Sequence, residues 1–220
     1  MRIGVTIFPG SNCDRDALYA VELMGAVPVE LWHAEADLKG VDAVILPGGF
    51  SYGDYLRPGA IARFAKVMGP LEDFARSGGP VLGICNGFQV LTEAKLLPGA
   101  LLRNTHMRFV CRRVRVRVET TRTPWSSLCE WGEELVLPVA HNEGNYFADP
   151  ATLEELEAEE RVVLRYLENP NGSANDIAGI CGEGRNVVGV MPHPERASEA
   201  SLGSEGGLRI LRSILAGARV

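Results

Sequence analysis

An α/β fold with a mostly parallel central sheet is predicted by two observations. Through the first half of the chain, short apolar runs alternate with segments of helical apolar spacing, and most of the runs end at a proline or glycine corner. A third supports them: 220 residues with 46% hydrophobic content can bury a sizeable core.

The elements follow in order. "RIGVTIF" (2–8) reads as a first strand broken by Pro9-Gly10, and its short apolar run does not resemble a signal peptide. Ser11-Asn12 is expected to cap a helix carrying Leu18, Val21 and Met24 and stopped by Gly25. "VPVELWH" and "VDAVILP" are further strands. Between Ile61 and Ala75 the spacing of Ile61, Phe64, Ala65, Met68 and Phe74 predicts a helix, interrupted near Pro70. "PVLGICNGFQVL" (80–91) is a strand running into a helix that ends by Pro98-Gly99. Then the pattern changes. "VCRRVRVRVET" alternates valine with arginine, the mark of a half-exposed antiparallel strand. "ELVLPVAHNEGNYF" and "RVVLRYLE" add strands, and Thr152 to Glu155 has the form of a capping box. "DIAGICGEGRNVVGVM" reads as a hairpin around Gly182–Asn186, and Leu208, Leu211, Ile214 and Leu215 form a closing amphipathic helix.

Composition excludes several classes. No apolar run reaches membrane-spanning length. A net charge of -6 gives no footing for nucleic acid, and the arginine strand lacks interleaved aromatics for base stacking. That strand reads as a solvated face or an edge guarded by charge, with a partner-docking surface as the alternative. Five scattered cysteines without a C-x-x-C pair argue against a disulfide framework or a zinc site, so no metal is expected, and a reducing, cytoplasmic setting is.

Cys85 holds the chemical interest. Glycines two residues to either side allow a sharp strand-to-helix corner, the mechanics of a nucleophile elbow. Such a corner lies at the C-terminal edge of a parallel sheet, with the helix N-terminus close to the sulfur. The plain alternative is a small buried hydrophobe. A nucleophile needs a base and an orienting group. Among four histidines, His193 follows an apolar strand, and Glu195 is two residues on, able to project to the same side of an extended segment. Cys85, His193 and Glu195 thus form a candidate triad. Pro47-Gly48-Gly49 also follows a strand, and the N–H groups of Gly49 and Asn86 are the expected oxyanion hole. An ordinary glycine-rich loop is the competing reading.

Strand-P-G-G-F, then G-I-C-N-G-F-Q, then M-P-H-P-E resembles the class I (triad) glutamine amidotransferase family from about residue 1 to 218. The family usually has another residue after the cysteine and a histidine where Phe88 stands. The strings "FPGSNCDRD", "GGFSYGDYLRPGAIAR" and "HNEGNYF" are similar to one branch, the glutaminases that serve phosphoribosylformylglycinamidine synthase in purine biosynthesis. The resemblance implies one such domain over 1–220, in a flavodoxin-like three-layer fold with a smaller antiparallel sheet. It implies glutamine as substrate, a Cys85 glutamyl thioester, and ammonia delivered to a large synthetase subunit bridged by a small third subunit. ATP and Mg would belong to that partner, with no cofactor in this chain. Gly48, Gln89, Arg108 and Phe109 would contact substrate, with main-chain contacts an option for Arg108 and Phe109 and packing an alternative for Gln89. His141 and Glu143 would lie near an interface or ammonia path, and the remaining cysteines would be structural. A stand-alone Cys-His-Glu hydrolase or peptidase and a non-catalytic interaction subunit are the competing functions.

Overall fold

The computed structural model describes residues 1–216; the last four residues of the expected 1–220 domain lie outside the described residues. Its main sheet has nine strands: β1 (Arg2–Ile7), β2 (Val27–Trp32), β3 (Ala43–Leu46), β4 (Val81–Ile84), β6 (Val110–Val118), β7 (Glu134–His141), β9 (Val162–Tyr166), β10 (Ile177–Cys181) and β11 (Val187–Val190). The remaining strands, β5 (Ala100–Leu102) and β8 (Asn145–Phe147), form a separate antiparallel pair. Helices are α1 (Asp14–Leu23), α2 (Met68–Arg76), α3 (Asn86–Glu93), α4 (Pro150–Ala158) and α5 (Gly206–Ala216).

The main sheet runs β2-β1-β3-β4-β11-β10-β9-β6-β7. Its first five strands are parallel in the flavodoxin-like order, and the rest join antiparallel through the β10–β11 hairpin. The parallel strands β3, β4 and β11 are buried at every residue, as sheets covered on both faces require. α1 and α5 touch each other, and α3 packs on β3, β4 and β11. The closing helix buries Leu208, Ile210, Leu211 and Ile214, each worth about 1.5–3 kcal/mol when fully buried.

The antiparallel half curls. β6 pairs β7 over eight residues but meets β9 only at Val116–Val118, so the β6–β7 arm overhangs. The β9–β10 register also shifts around Gly179, the irregularity that bends a strand. Five strand spacings separate β7 from β4, roughly 24 Å in a flat sheet. Yet the Ala140 carbonyl of β7 lies 3.8 Å from the Cys85 sulfur just beyond β4.

Several local expectations are corrected. The α1 N-cap is Cys13 and makes no side-chain cap bond; the Ser11 hydroxyl instead accepts from the Phe8 N–H. The expected 61–75 helix breaks at extended Ala65, not at Pro70, which sits in the first turn of α2 where its missing N–H is harmless. Asp149, not Thr152, caps α4 by accepting from the Thr152 N–H, with Pro150 at the first helical position. The arginine strand β6 lies between β7 and β9, but its Val110–Val114 stretch overhangs β9 and stays unpaired on that side. Arg115 pairs with Glu134 and Glu168 and Arg117 with Glu119, while Val114, Val116 and Val118 are buried beneath. Among the described residues, no helix is long and apolar enough to cross a membrane.

Candidate active site

Three adjacent strands bring the candidate residues to one edge. Register pairs Leu46 of β3 with Gly83 of β4, and Ile84 of β4 with Val190 of β11. Gly48-Gly49, Cys85 and His193 therefore all lie within three residues of parallel strand ends, the edge where α/β sheets bind ligands.

Cys85 is the corner itself. Its backbone sits at φ 50°, ψ -104°, outside ordinary regions for a side-chain-bearing residue, a strain of order 1–3 kcal/mol. The surroundings hold it there: its N–H donates to the Val190 carbonyl at 2.8 Å, and its carbonyl accepts from Gln89 N–H at 3.1 Å, the first turn of α3. Gly87 makes the corner possible. A Cβ at that position would lie 2.0 Å from the Leu46 carbonyl oxygen, so only glycine lets α3 approach β3 this closely. Phe88, where the family usually has histidine, is buried against Gly189 and stacks on Tyr146 at 6.0 Å.

His193 is fixed from both sides. Its N–H donates to the Pro138 carbonyl of β7 at 2.9 Å, and its Nδ1 lies 2.6 Å from Glu195 Oε1. Among the described residues, Nε2 has no hydrogen-bond partner, which leaves that nitrogen for the sulfur and the substrate. Burial opposes charge on this imidazole, but the Glu195 carboxylate, then the Cys85 and Cys13 sulfurs, outweigh it and hold its pKa well above the usual value. Gly48, expected among the substrate contacts, packs on the base: a Cβ there would sit 2.6 Å from His193 Cε1. Among the described residues, no hydrogen bond occupies the N–H of Gly49 or Asn86, so both remain available as oxyanion donors.

A small cavity beside the sulfur is lined by Gly49, Asp54, Cys85, Gln89, His141 and Glu143, among others. Gln89 is held in place: its Nε2 donates to the Glu143 carbonyl at 2.6 Å, and its Oε1 accepts from Asn86 Nδ2 at 2.9 Å. His141 is buried and bonded through Nδ1 to Asn104 Oδ1 at 3.1 Å; burial, then the neighbouring His193, lower its pKa to about 4. It is therefore neutral at pH 7 and unlike His193 in role. Arg108 and Phe109, expected near substrate, are exposed and do not line this cavity. Asn104 explains their placement, since its Nδ2 pins the Arg108 carbonyl at 2.8 Å and the His141 carbonyl at 3.0 Å.

Three further residues that the sequence does not place at the site lie against it in the structure. Cys13, expected to be structural, has its sulfur within 4.8 Å of donor atoms on His193 and Glu195, and accepts from Arg196 Nη2 at 3.1 Å. Asn104 and Asp54 complete the set. Cys13 and Asp54 both lie in strings that triad chemistry alone does not require, "FPGSNCDRD" and "GGFSYGDYLRPG", which was the available signal.

A strained cysteine corner facing a paired histidine and glutamate is the arrangement of a triad glutamine amidotransferase, and residues 1–205 match the CobB/CobQ-like glutamine amidotransferase domain family. The chain is 80% identical to phosphoribosylformylglycinamidine synthase subunit PurQ of Rubrobacter xylanophilus, across all of both chains. It is 59% identical to the PurQ subunit of Frankia casuarinae, over 98% of this chain and 94% of that one. The chain belongs to the PurQ family of glutamine amidotransferases. Among solved structures, a chain of the PurLQS structure from Thermotoga maritima superposes with TM-score 0.92 at 44% identity, covering 99% of each chain. Another glutamine amidotransferase from Thermotoga maritima (TM-score 0.61, 16% identity, covering 99% of this chain and 97% of that one) shares the fold.

Proposed function

We propose that this chain is the glutaminase subunit of a phosphoribosylformylglycinamidine synthase, a single amidotransferase domain working in the cytoplasm with a PurL-type synthetase and a PurS-type bridging subunit. The observation that carries this reading is full-length 80% identity to a PurQ subunit in a chain that presents Cys85 on a strained corner. The PurLQS neighbour supports the choice of partners.

Cys85 Sγ passes its proton to His193 Nε2 and attacks the side-chain amide carbon of glutamine. The N–H groups of Gly49 and Asn86 receive the developing oxyanion. His193, charged and oriented by Glu195, gives its proton to the departing ammonia, leaving a glutamyl thioester on Cys85. The now neutral imidazole takes a proton from water, which attacks the thioester carbon, and glutamate leaves as the sulfur recovers the proton. Ammonia passes to the synthetase subunit, where ATP and Mg²⁺ act. This chain needs no cofactor for its own half of the reaction.

The test uses the reconstituted three-subunit complex. Cys85→Ala abolishes synthesis from glutamine while synthesis from ammonium salts persists. Retention of glutamine-dependent synthesis would point to a non-catalytic subunit, and efficient peptide cleavage by the isolated chain would point to an independent hydrolase.

A further inference from the structure

We infer that Asp54 is a specificity-determining residue that binds the α-ammonium group of glutamine, with Glu143 reinforcing its field. The inference deepens the function proposed above and rests on it.

Asp54 lines the same cavity as Cys85, on the side formed with Gln89 and Glu143. Its carboxylate has one hydrogen-bond partner among the described residues, Asn86 Nδ2 at 3.2 Å to Oδ1, and no cation among them pairs with it. The basic residue nearest in the loop is committed elsewhere: Arg57 grips Glu93 through two bonds of 2.6 and 2.7 Å. The charge facing Asp54 is instead another carboxylate, Glu143, whose own partner is Arg103 at 3.3 Å. Burial first, then Glu143, raise the Asp54 pKa to about 6, while the Asn86 bond opposes the rise. A half-buried acid without a counter-ion, beside a second acid, is costly unless a cation arrives.

Three ligand chemistries would satisfy the cavity's remaining groups. The electrophilic amide belongs at Cys85, and a carboxylate belongs away from Asp54 and Glu143. A primary ammonium belongs at Asp54. Glutamine carries all three, and its α-ammonium is the only cation on it. The loop carrying Asp54 is itself under strain, with Tyr52, Asp54 and Leu56 all at positive φ. That strain is of the kind concentrated at ligand clamps. Asn86 links the two ends of the site: its N–H faces the oxyanion position, and its side-chain amide ties Asp54 to Gln89.

The test compares glutamine with its deamino analogue 5-amino-5-oxopentanoate, which keeps the amide and the carboxylate but lacks the ammonium. Wild-type complex favours glutamine. In Asp54→Asn, which retains an acceptor for Asn86, kcat/KM for glutamine falls roughly ten- to hundredfold, the worth of a charge-assisted hydrogen bond, mostly through KM. The value for the analogue changes less than threefold, so the preference collapses. Equal losses on both substrates would mean a structural role, and an unchanged preference would mean the ammonium binds elsewhere; either overturns the inference. Calorimetric binding of both ligands to Cys85→Ala and Cys85→Ala/Asp54→Asn reads the same preference without turnover. If wild-type complex binds glutamine in this way but releases no ammonia, the proposed function fails and the role of Asp54 stands.

Discussion

Gly87→Ala sets two physical effects against each other. Gly87 is the second residue of α3, and its φ is not positive, so alanine is conformationally permitted there. Helix propensity alone then predicts stabilisation of about 0.5–1 kcal/mol. Packing predicts the opposite. The new Cβ would lie 2.0 Å from the Leu46 carbonyl oxygen, 2.7 Å from its carbon and 2.8 Å from its Cβ. Two of these atoms are backbone of a fully buried strand in the middle of the sheet, so α3 must retreat by about 1 Å to restore normal contact. Overpacking of this kind costs about 1–3 kcal/mol, occasionally more, so packing wins by about 1–2 kcal/mol. For a chain of this size the loss lowers the apparent Tm by about 2–8 °C. Retreat also moves the corner that carries Cys85, so glutamine-dependent synthesis falls by more than the stability loss explains, while synthesis from ammonium salts holds. Gly69→Ala in α2 is the control: nothing lies within 4 Å of a Cβ there, so that variant gains stability. Thermal unfolding of both variants, with parallel glutamine and ammonium assays, decides the matter. A Gly87→Ala chain as stable as wild type with full glutamine use would refute the argument.

Two further perturbations test the site's electrostatics. Glu195→Gln removes the carboxylate that raises the His193 pKa, so the imidazole limb of the pH–rate profile moves to lower pH and glutamine-dependent kcat/KM drops about 10²–10⁴-fold; an unmoved limb with less than tenfold loss would contradict it. Asp54→Asn changes stability in a pH-dependent way. A carboxyl raised from 3.8 to about 6 in the folded chain binds its proton more tightly there than in the unfolded chain, so wild type loses stability as pH climbs through that interval. The variant therefore gains on wild type between about pH 4 and 6 and keeps a constant advantage above, read as Tm difference against pH; a flat difference would exclude the unpaired charge as its source.

What was legible in the sequence is what neighbouring residues encode. The Cys85 corner needs only Gly83, Gly87 and an adjoining strand and helix, and the His193–Glu195 pair needs only a two-residue spacing. Both were readable because local geometry creates them. Cys13 was not, because Arg196 and His193 reach it from the far end of the chain. Asp54 likewise acquires meaning only when β7 carries Glu143 to face it. At α4 a readable signal was outranked: Thr152 to Glu155 has capping-box form, but Asp149-Pro150 starts the helix earlier, since an acid acceptor followed by a preset φ is the better initiator. The exposure of the Arg108 and Phe109 side chains was not legible either, because Asn104, a fully buried side chain with partners up to 40 residues away, fixes the main chain of their segment.

The curl of the main sheet makes the cavity beside Cys85 a closed calliper. Cys85 stands on one jaw and Ala140 to Glu143 on the other, and the two jaws are ends of the same hydrogen-bonded sheet. Bending by about 1° at each of the five intervening strand junctions accumulates to about 1 Å at the gap, given strand spacings near 4.8 Å. Displacements of that size are enough to change rates by about 10²-fold. The gap over the nucleophile is therefore spanned twice, by curvature distributed across five junctions and by the direct bonds from the His193 N–H to the Pro138 carbonyl and from Gln89 Nε2 to the Glu143 carbonyl, so the β6–β7 arm is coupled to the Cys85 corner by both routes.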